Sequence, residues 1–381
     1  MPGQKGMRVY KVLHRELLKE LFLLFIVCLV VLVGFIVLGR IVLKLGEILV
    51  AVQLTLWDVL QLIGYQTPFF LLLLLPVACM ISMFLTFQRM SSDRELIALR
   101  SSGISLLQVM PASAFFLLLC TCLNLVVSLY GVSWGMNNFR STMLNLAKNK
   151  AQVSIQPGVF NQEIPGLTIY AQNVDRDKEE LSRVYVQDSS HEDEAVHILA
   201  PEGRIRTDTS LGKLFFTLKD GRIYNQRTKG TDVLRFGEYT VSIDLARVLG
   251  DVSFQGNDPE SFSWEKLSRL SGRENLAAEK GEKFAREVAR ERQKRMALPA
   301  ACLVLGLFAI PMGWLCEGMK GYSGLLIILG MFLFYYAMFL AGVSLAEAGT
   351  VPPALALWTP NGIFVAVSCL LFVGAVRERP L

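Results

Sequence analysis

The chain has 381 residues, of which 52% are hydrophobic, and its formal net charge is +5. The apolar residues are concentrated in long runs on either side of one polar block, which excludes an ordinary soluble domain. The positive charge is modest and no basic block is interleaved with aromatic residues, so nucleic acid is not expected as a partner. All seven cysteines lie in or beside the apolar runs, so a disulfide scaffold is not expected either.

Six apolar runs are each long enough to cross a bilayer as a helix. About 20 residues, rising 1.5 Å each, span a hydrocarbon core of roughly 30 Å. The runs are 21–39, 69–87, 104–130, 298–316, 322–345 and 354–376. The first run is longer than the core of a signal peptide and no small-residue cleavage site follows it, so we expect it to be retained.

The polar block between the third and fourth runs has the alternation that is typical of β-strands. Apolar and polar residues alternate in 166–174, 181–189, 213–226 and 235–243. The third of these stretches contains Asp220-Gly221, a pair favoured in tight hairpins. Strands spaced at 8–12 residues predict an antiparallel sandwich or a jelly roll. After this block, residues 282–296 are rich in charge and predict a helix that runs into the fourth span.

These patterns predict a membrane α-helical protein with six transmembrane helices and an inserted, jelly-roll-like all-β domain. We divide it into residues 1–130 with the first three spans, 131–262 for the β-domain, 263–296 for a charged helical connector, and 297–381 with the last three spans.

The basic residues of the short connecting segments predict the orientation. With the amino terminus in the cytoplasm, eleven of them fall on that side: Lys5, Arg8, Lys11, Arg15, Lys19, Arg89, Arg94, Arg100, Lys320, Arg377 and Arg379. Only Arg40 and Lys44 fall in short external loops. Seven more lie between 280 and 295, beside the large domain, and we discount them because long domains are translocated largely regardless of charge. Both termini are therefore predicted to be cytoplasmic and the β-domain external.

No constellation of residues predicts catalysis. The three histidines include His191 and His197, whose spacing matches no zinc motif, and a polar turn explains them equally well. A Walker A loop is absent, so this chain is not expected to hydrolyse ATP. We predict no catalytic residue, no metal and no cofactor.

Arg40 and Lys44 lie four residues apart just beyond the first run, and therefore on one face of a helix. Two interpretations are open. The pair can be interfacial anchors whose charged ends reach water. Alternatively, paired cations at a poorly hydrated interface can bind the phosphate of an anionic lipid headgroup.

A short polar stretch between the second and third runs predicts a helix of its own, at about residues 91–102. Ser91 or Ser92 can cap its amino end, and Asp93 and Glu95 fall in the first turn, where the helix dipole favours acids. Gly103 is expected to end it. Any connecting loop can form an interfacial helix, but an apolar ridge beside a fixed carboxylate also suits docking into a groove on a soluble partner. The residues that we assign to this docking are Glu95, Asp93, Arg94, Leu96, Leu99 and Arg100.

Several stretches together resemble the LptF/LptG family, also called YjgP/YjgQ, the membrane permeases of lipopolysaccharide export. They are "VYKVLHRE" (9–16), the polar stretch 89–105, "QPGVFNQ" (156–162), residues 291–313, Tyr335-Tyr336 and residues 349–364. They follow one another in the expected order over nearly the whole chain. The block 156–162 favours the LptF branch.

The resemblance implies a permease of the Gram-negative inner membrane with a periplasmic β-jelly-roll between its third and fourth helices. It implies a heterodimer with a paralogous permease, LptG or LptF, on an ATPase dimer of LptB, with LptC and LptA as acceptors of the lipid. The stretch 91–102 would be the coupling helix, with Glu95 as its coupling carboxylate, and Arg40 and Lys44 would face the phosphates of lipopolysaccharide. A membrane-anchored scaffold and an envelope enzyme with a periplasmic β-domain remain the alternatives.

Overall fold

The structure, a computed structural model, describes residues 3–40, 56–101, 106–154, 157–164, 167–175, 180–188, 196–208, 213–227, 230–244, 259–272, 281–316 and 321–377. The chain divides into two compact units. The first comprises 1–47, 55–136 and 259–381, and the second comprises 48–54 and 137–258.

The first unit is helical. Its helices are α1 (Gly3–Arg40), α2 (Leu56–Ser92), α3 (Glu95–Ser101), α4 (Leu106–Val126), α6 (Trp264–Ser271), α7 (Glu282–Leu315), α8 (Gly321–Glu347) and α9 (Pro353–Arg377). Between α4 and α5 (Val132–Ser154) lies a π-helical segment, Val127–Gly131. Among the described residues, six helices are long and apolar enough to cross a membrane, as predicted.

The third span is longer than its apolar run suggests. The helix continues through the π-helical segment into α5, and the membrane-length stretch covers Gln108–Leu146. The β-domain predicted from residue 131 therefore begins with helix, and its first strand starts at Phe160. The sequence gives little warning of this, because Val132–Ser154 mixes apolar, polar and basic residues.

The described parts of the predicted charged connector are helical, and the helix predicted for residues 282–296 is confirmed as continuous with the fourth span. Ser263 caps α6 by accepting a hydrogen bond from the backbone N–H of Lys266 at 3.4 Å. Helix α7 then runs for 34 residues, from Glu282 through the charged segment to Leu315. All seven cysteines are free thiols, as expected for apolar helix residues.

The core of the first unit lies between α2, α4 and α7, where large apolar side chains are fully buried. These include Met83, Phe84, Phe116, Leu305 and Phe308. Glycines let the helices approach closely at single points. A Cβ at Gly306 would overlap with the side chain of Leu117, and one at Gly342 would overlap with the carbonyl oxygen of Ala356. Small residues at crossings are typical of helices packed within a membrane.

The second unit contains a six-stranded antiparallel sheet. Its strands are β1 (Phe160–Ile164), β2 (Leu167–Asp175), β3 (Glu180–Asp188), β4 (Val196–Asp208), β5 (Lys213–Arg227) and β6 (Gly230–Asp244). Each strand pairs with its neighbour in sequence, in the order β1-β2-β3-β4-β5-β6. The predicted inserted β-domain is therefore confirmed, and its described strands form a meander, whereas a jelly roll has Greek-key crossovers.

A line of irregular residues crosses the sheet without changing its register. Arg183 in β3 and Asp220 in β5 have left-handed φ values of 50° and 52°. The ladder offsets on either side of the line are the same, and they place both residues opposite Pro201 in β4. A β-bulge would add a residue to one strand and shift its pairing. Here no residue is added, and the pairing continues across the line.

The side-chain alternation changes phase at this line. Buried residues normally recur every second position in a strand, but across the line the spacing is three. It runs from Leu181 to Val184 in β3, from Ala200 to Gly203 in β4 and from Leu218 to Gly221 in β5. The buried residues remain cross-strand neighbours on both sides of the line because all three strands shift at the same place.

The hairpin predicted at Asp220-Gly221 was wrong, because β5 continues through both residues. The pair lies instead on the line of irregular residues that crosses the sheet. Asp tolerates the left-handed conformation better than most residues, and a Cβ at Gly221 would lie 2.6 Å from the carbonyl oxygen of Leu199. An Asp-Gly pair in a sequence is therefore compatible with two structures. One is a tight turn, and the other, as here, is a change in the side-chain alternation within a continuous strand.

Candidate functional site

A helix lies in the stretch predicted for docking, but it is shorter than predicted and begins later, at Glu95. Helix α2 continues through Ser91 and Ser92, and the backbone N–H of Asp93 still bonds to the carbonyl of Arg89 at 2.8 Å. The helix ladder of the second span thus extends past both serines, which therefore do not cap α3. Arg94, with a left-handed φ of 57°, interrupts the helical backbone after α2. Its carbonyl accepts the first hydrogen bond of α3, from the N–H of Ala98 at 3.1 Å.

Glu95, the first residue of α3, forms an ion pair with Arg89 near the end of α2. The Arg89 Nη1 atom lies 2.9 Å from Glu95 Oε1 and 3.4 Å from Asp93 Oδ2. The remaining donors of this guanidinium contact Glu20 of α1, with Nε–Oε1 and Nη2–Oε2 distances both 2.6 Å. One arginine therefore links three helices at this end of the first unit.

The other residues predicted for docking occupy α3 and the turn before it. Asp93 and Arg94 are exposed in the turn, and Leu99 is partly buried against the core of the first unit. Leu96 and Arg100 lie in α3, and their side chains are outside the described part of the structure. Gly103 lies outside the described residues as well.

The proposed lipid-binding pair is only half within the described residues. Arg40 is the last residue of α1, and its side chain is not among those described, whereas Lys44 lies outside the described ranges. The predicted common face of the two residues therefore stays a prediction.

A buried cluster of charges around Arg295 was missed by the sequence analysis. Arg295 and Glu291, one turn apart in α7, are each about 1% exposed or less and pair at 3.0 Å. The Arg295 guanidinium also donates to the hydroxyl oxygen of Ser133 at 2.9 Å and to the carbonyls of Phe262 and Glu260 at 2.8 and 2.7 Å. Buried charges must be paired and hydrogen-bonded to be tolerated, and here the partners come from both chain segments that flank residues 137–258.

Two further charges complete this cluster. Lys294 lies 3.0 Å from Glu260 and 3.4 Å from Glu291. Burial alone would raise the pKa of Glu260, but the Lys294 ammonium, together with Arg290 and Arg295, holds that pKa below its ordinary value. The sequence signal was available in the Glu291/Arg295 spacing, which suits an i,i+4 pair, but the spacing does not tell whether such a pair is exposed.

Two side chains of the third span satisfy carbonyls that prolines leave without a donor. Pro76 has no N–H to bond the carbonyl of Leu72, and Asn124 Nδ2 donates to that carbonyl at 3.2 Å. Pro299 leaves the carbonyl of Arg295 free in the same way, and Ser128 Oγ donates to it at 2.8 Å. Asn124 thus forms a hydrogen bond between α4 and α2.

A second polar chain joins the last three membrane-length helices. The hydroxyl of Tyr335 donates to Asn361 Oδ1 at 2.9 Å, and Asn361 Nδ2 donates to the carbonyl of Ala297 at 3.0 Å. All of these groups are buried. Interhelical hydrogen bonds of this kind fix which faces of membrane helices meet.

Of the two histidines considered as metal ligands, one lies within the described residues. His197 lies in β4, and its Nδ1 atom is 2.8 Å from the hydroxyl oxygen of Tyr185 on β3. His191 lies outside the described ranges. The described geometry of His197 is that of a cross-strand polar pair.

Comparison with known proteins agrees with this architecture. The family described as lipopolysaccharide export system permease LptF/LptG matches residues 15–373. The chain is also similar to curated proteins named lipopolysaccharide export system permease protein LptF, from Escherichia coli strain K12 and from Shigella flexneri. Each is 22% identical over 320 residues, covering 82% of this chain and 81% of the relative. With six membrane-length helices and an inserted antiparallel sheet among its described residues, this chain belongs to the LptF/LptG family of lipopolysaccharide export permeases.

Proposed function

We propose that this protein is one permease subunit of an ABC-type exporter that removes lipopolysaccharide from the outer leaflet of the inner membrane. A paralogous permease, LptG or LptF, completes the membrane part as a heterodimer, and two LptB subunits supply ATP hydrolysis. The lipid passes to the β-domain and then to LptC and LptA. Family membership and the insertion of the β-domain between the third and fourth spans support this assignment.

The orientation follows the basic residues of the short segments. Both termini and α3 lie in the cytoplasm, and the β-domain lies in the periplasm. In this orientation α3 faces the ATPase, and the residues after α1 face the outer leaflet.

The observation that carries the coupling assignment is the break at Arg94. A left-handed residue separates α3 from a helix of membrane length and leaves a seven-residue helix that begins with Glu95. We assign Glu95 as the carboxylate that binds a basic residue of the ATPase. Asp93, Arg94, Leu96, Leu99 and Arg100 form the rest of the docking surface, which follows the helix-in-groove mode of recognition.

Arg40 and Lys44 are assigned to the phosphate groups of the lipid. Cations bind phosphate more strongly at a poorly hydrated interface than in water, and the acyl chains remain in the membrane until the lipid is extracted. Extraction requires energy from outside this chain, because each methylene that leaves the bilayer costs about 0.8 kcal/mol. The ATPase supplies that energy when nucleotide binding closes its dimer and moves α3.

Co-purification tests the coupling. The tagged protein, co-expressed with its paralogous permease and LptB, is expected to retain the ATPase in detergent, whereas Glu95→Gln is expected to bind it more weakly and retain less of it. Glu265→Gln is the matched control, since Glu265 is an exposed helical carboxylate that is 78% accessible and paired with Arg269. Retention of the ATPase at wild-type level and normal lipid transport in Glu95→Gln would refute the assignment.

Lipid cross-linking tests the second site. Arg40→Glu combined with Lys44→Glu is expected to lower the yield of lipopolysaccharide cross-linked to the assembled complex. Lys266→Glu combined with Arg269→Glu makes the same charge change on α6 and is expected to leave the yield unaltered. If both pairs behave alike, Arg40 and Lys44 are interfacial anchors.

A further inference from the structure

Arg89 makes contacts that the coupling assignment does not require. Its side chain leaves the last turns of α2 and meets carboxylates on the helices before and after it. Glu20 of α1 is 69 positions away in the chain, so the contact is tertiary and not a consequence of local helix geometry.

The Arg89–Glu20 contact is bidentate. Two guanidinium nitrogens lie 2.6 Å from the two carboxylate oxygens of Glu20, whose side chain is 25% exposed. Two parallel bonds hold the planar guanidinium in one orientation, which a single bond does not. The third nitrogen, Nη1, is then directed at Glu95, 2.9 Å away.

The same atom also constrains the turn before α3. Asp93 Oδ2 lies 3.4 Å from Nη1, and the Asp93 N–H bonds to the carbonyl of Arg89 itself. Arg89 therefore contacts both residues that border the left-handed Arg94. Half-exposed ion pairs add little to the stability of a fold. The main effect of these contacts is therefore to fix the position of the Glu95 carboxylate.

We propose that Arg89 is a positioning residue, fixed by Glu20, that holds the carboxylate of Glu95 and links α3 to the first membrane helix. This proposal rests on the proposed function, since it supposes that α3 binds an ATPase. The proposal adds a mechanical path to the proposed function. Force applied to α3 reaches α1 through Glu95, Arg89 and Glu20, in addition to the covalent connection through α2.

A double-mutant cycle tests the path, because coupling between residues is measured and not inferred from contact alone. The complex of both permeases is purified with wild-type chain, Arg89→Gln, Glu95→Gln and both together, and the affinity for added LptB is measured for each. Arg89→Gln is expected to weaken binding about two- to fivefold in the wild-type background. It is expected to have no further effect in the Glu95→Gln background.

Glu20→Gln provides the second arm, with an expected loss in the same direction that also disappears in the Glu95→Gln background. The matched control is Arg269→Gln, which removes an exposed helical ion pair of similar length, 3.1 Å, on α6. Each variant is first required to elute as a single species with the wild-type melting temperature, which separates a loss of position from a loss of fold.

The outcomes distinguish the two proposals. If Glu95→Gln weakens LptB binding but Arg89→Gln does not, the positioning role is wrong and the coupling assignment stands. An equal effect of Arg89→Gln in both backgrounds would also refute the positioning role, because Arg89 would then act independently of Glu95. If neither Glu95→Gln nor Arg89→Gln changes binding, the coupling assignment fails as well.

Discussion

Ser128 donates a hydrogen bond of 2.8 Å to the carbonyl oxygen of Arg295, the one carbonyl of that turn which Pro299 deprives of its helical donor. Both residues are buried. The π-helical segment that contains Ser128 thus meets α7 at the point where the backbone ladder of α7 is incomplete. A proline in a membrane helix is tolerated when a neighbouring side chain satisfies the freed group.

Replacing Ser128 by alanine is expected to lower the stability of the helical unit by about 0.5–2 kcal/mol, since it leaves a buried carbonyl without a partner. The midpoint of thermal unfolding in detergent measures the change. Pro299→Ala restores an N–H for the same carbonyl, so Ser128→Ala should cost much less in that background. An equal loss in both backgrounds would show that the hydroxyl acts elsewhere.

Arg295 is expected to be the least replaceable charge among the described residues of the helical unit. Arg295→Met leaves the buried Glu291 with only Lys294, 3.4 Å away, and removes the Arg295 donor from the carbonyl of Glu260. The expected loss is about 3–5 kcal/mol, the usual effect of breaking a buried pair. Arg295→Lys should recover only part of it, because an ammonium cannot reproduce the planar fork that serves Glu291, Ser133 and Phe262 together. Yield and melting temperature in detergent provide the ranking, with Arg269→Met as an exposed control. Full recovery by lysine would contradict the geometric argument.

Two glycines of α8 are expected to respond differently to the same substitution. Gly342→Ala places a Cβ against the carbonyl oxygen of Ala356, which belongs to the backbone of α9 and can yield only if the two helices separate. Gly330→Ala meets nothing within 4 Å and should be neutral or slightly stabilising, by up to about 1 kcal/mol, because alanine favours helix. The difference between the two melting temperatures isolates the packing effect from helix propensity.

The pKa of Glu260 predicts a specific acid sensitivity. Burial opposes the charged form, but Lys294 and the neighbouring arginines outweigh it, so the folded-state pKa of Glu260 lies below its ordinary value. A depressed pKa stabilises the fold above the unfolded-state value, and that contribution is lost as the pH falls through the folded-state pKa. Glu260→Gln should therefore lower the melting temperature at pH 7, and the gap to wild type should narrow below about pH 4.5. A gap that is constant down to pH 3.5 would contradict this.

The elements of the helical unit were predictable because each span is a long apolar run, and length and hydropathy are properties of the sequence alone. The cluster around Arg295 was not, because its partners Ser133, Glu260 and Phe262 are distant in the chain and carry no local signal. The start of α3 was misplaced for a related reason. Ser91 and Ser92 resemble helix caps, but the hydrogen bond from the Asp93 N–H to the carbonyl of Arg89 and the burial of Ser91, which is 4% exposed, show that the preceding helix continues through them.

In the sheet, the alternation of apolar and polar residues located the strands, but it did not reveal the phase change at Arg183 and Asp220. When the alternation of apolar and polar residues shifts by one position, the sequence pattern is the same as that of two strands joined by a turn. This is why a hairpin was predicted at Asp220-Gly221. The pairing of Leu199 with Arg222 and of Glu202 with Lys219, on either side of Asp220, shows that strand β5 continues.

Because the phase changes at Arg183, Pro201 and Asp220 lie side by side in the sheet, these three positions are expected to be constrained together in evolution. If one strand lost its phase change while the others kept theirs, every side chain beyond that point would turn to the opposite face, and Leu218 or Leu181 would exchange its buried position for water. No single substitution that straightens one strand can therefore be neutral. The three positions must be kept together or altered together, so this part of the β-domain is expected to diverge in steps and not gradually, residue by residue.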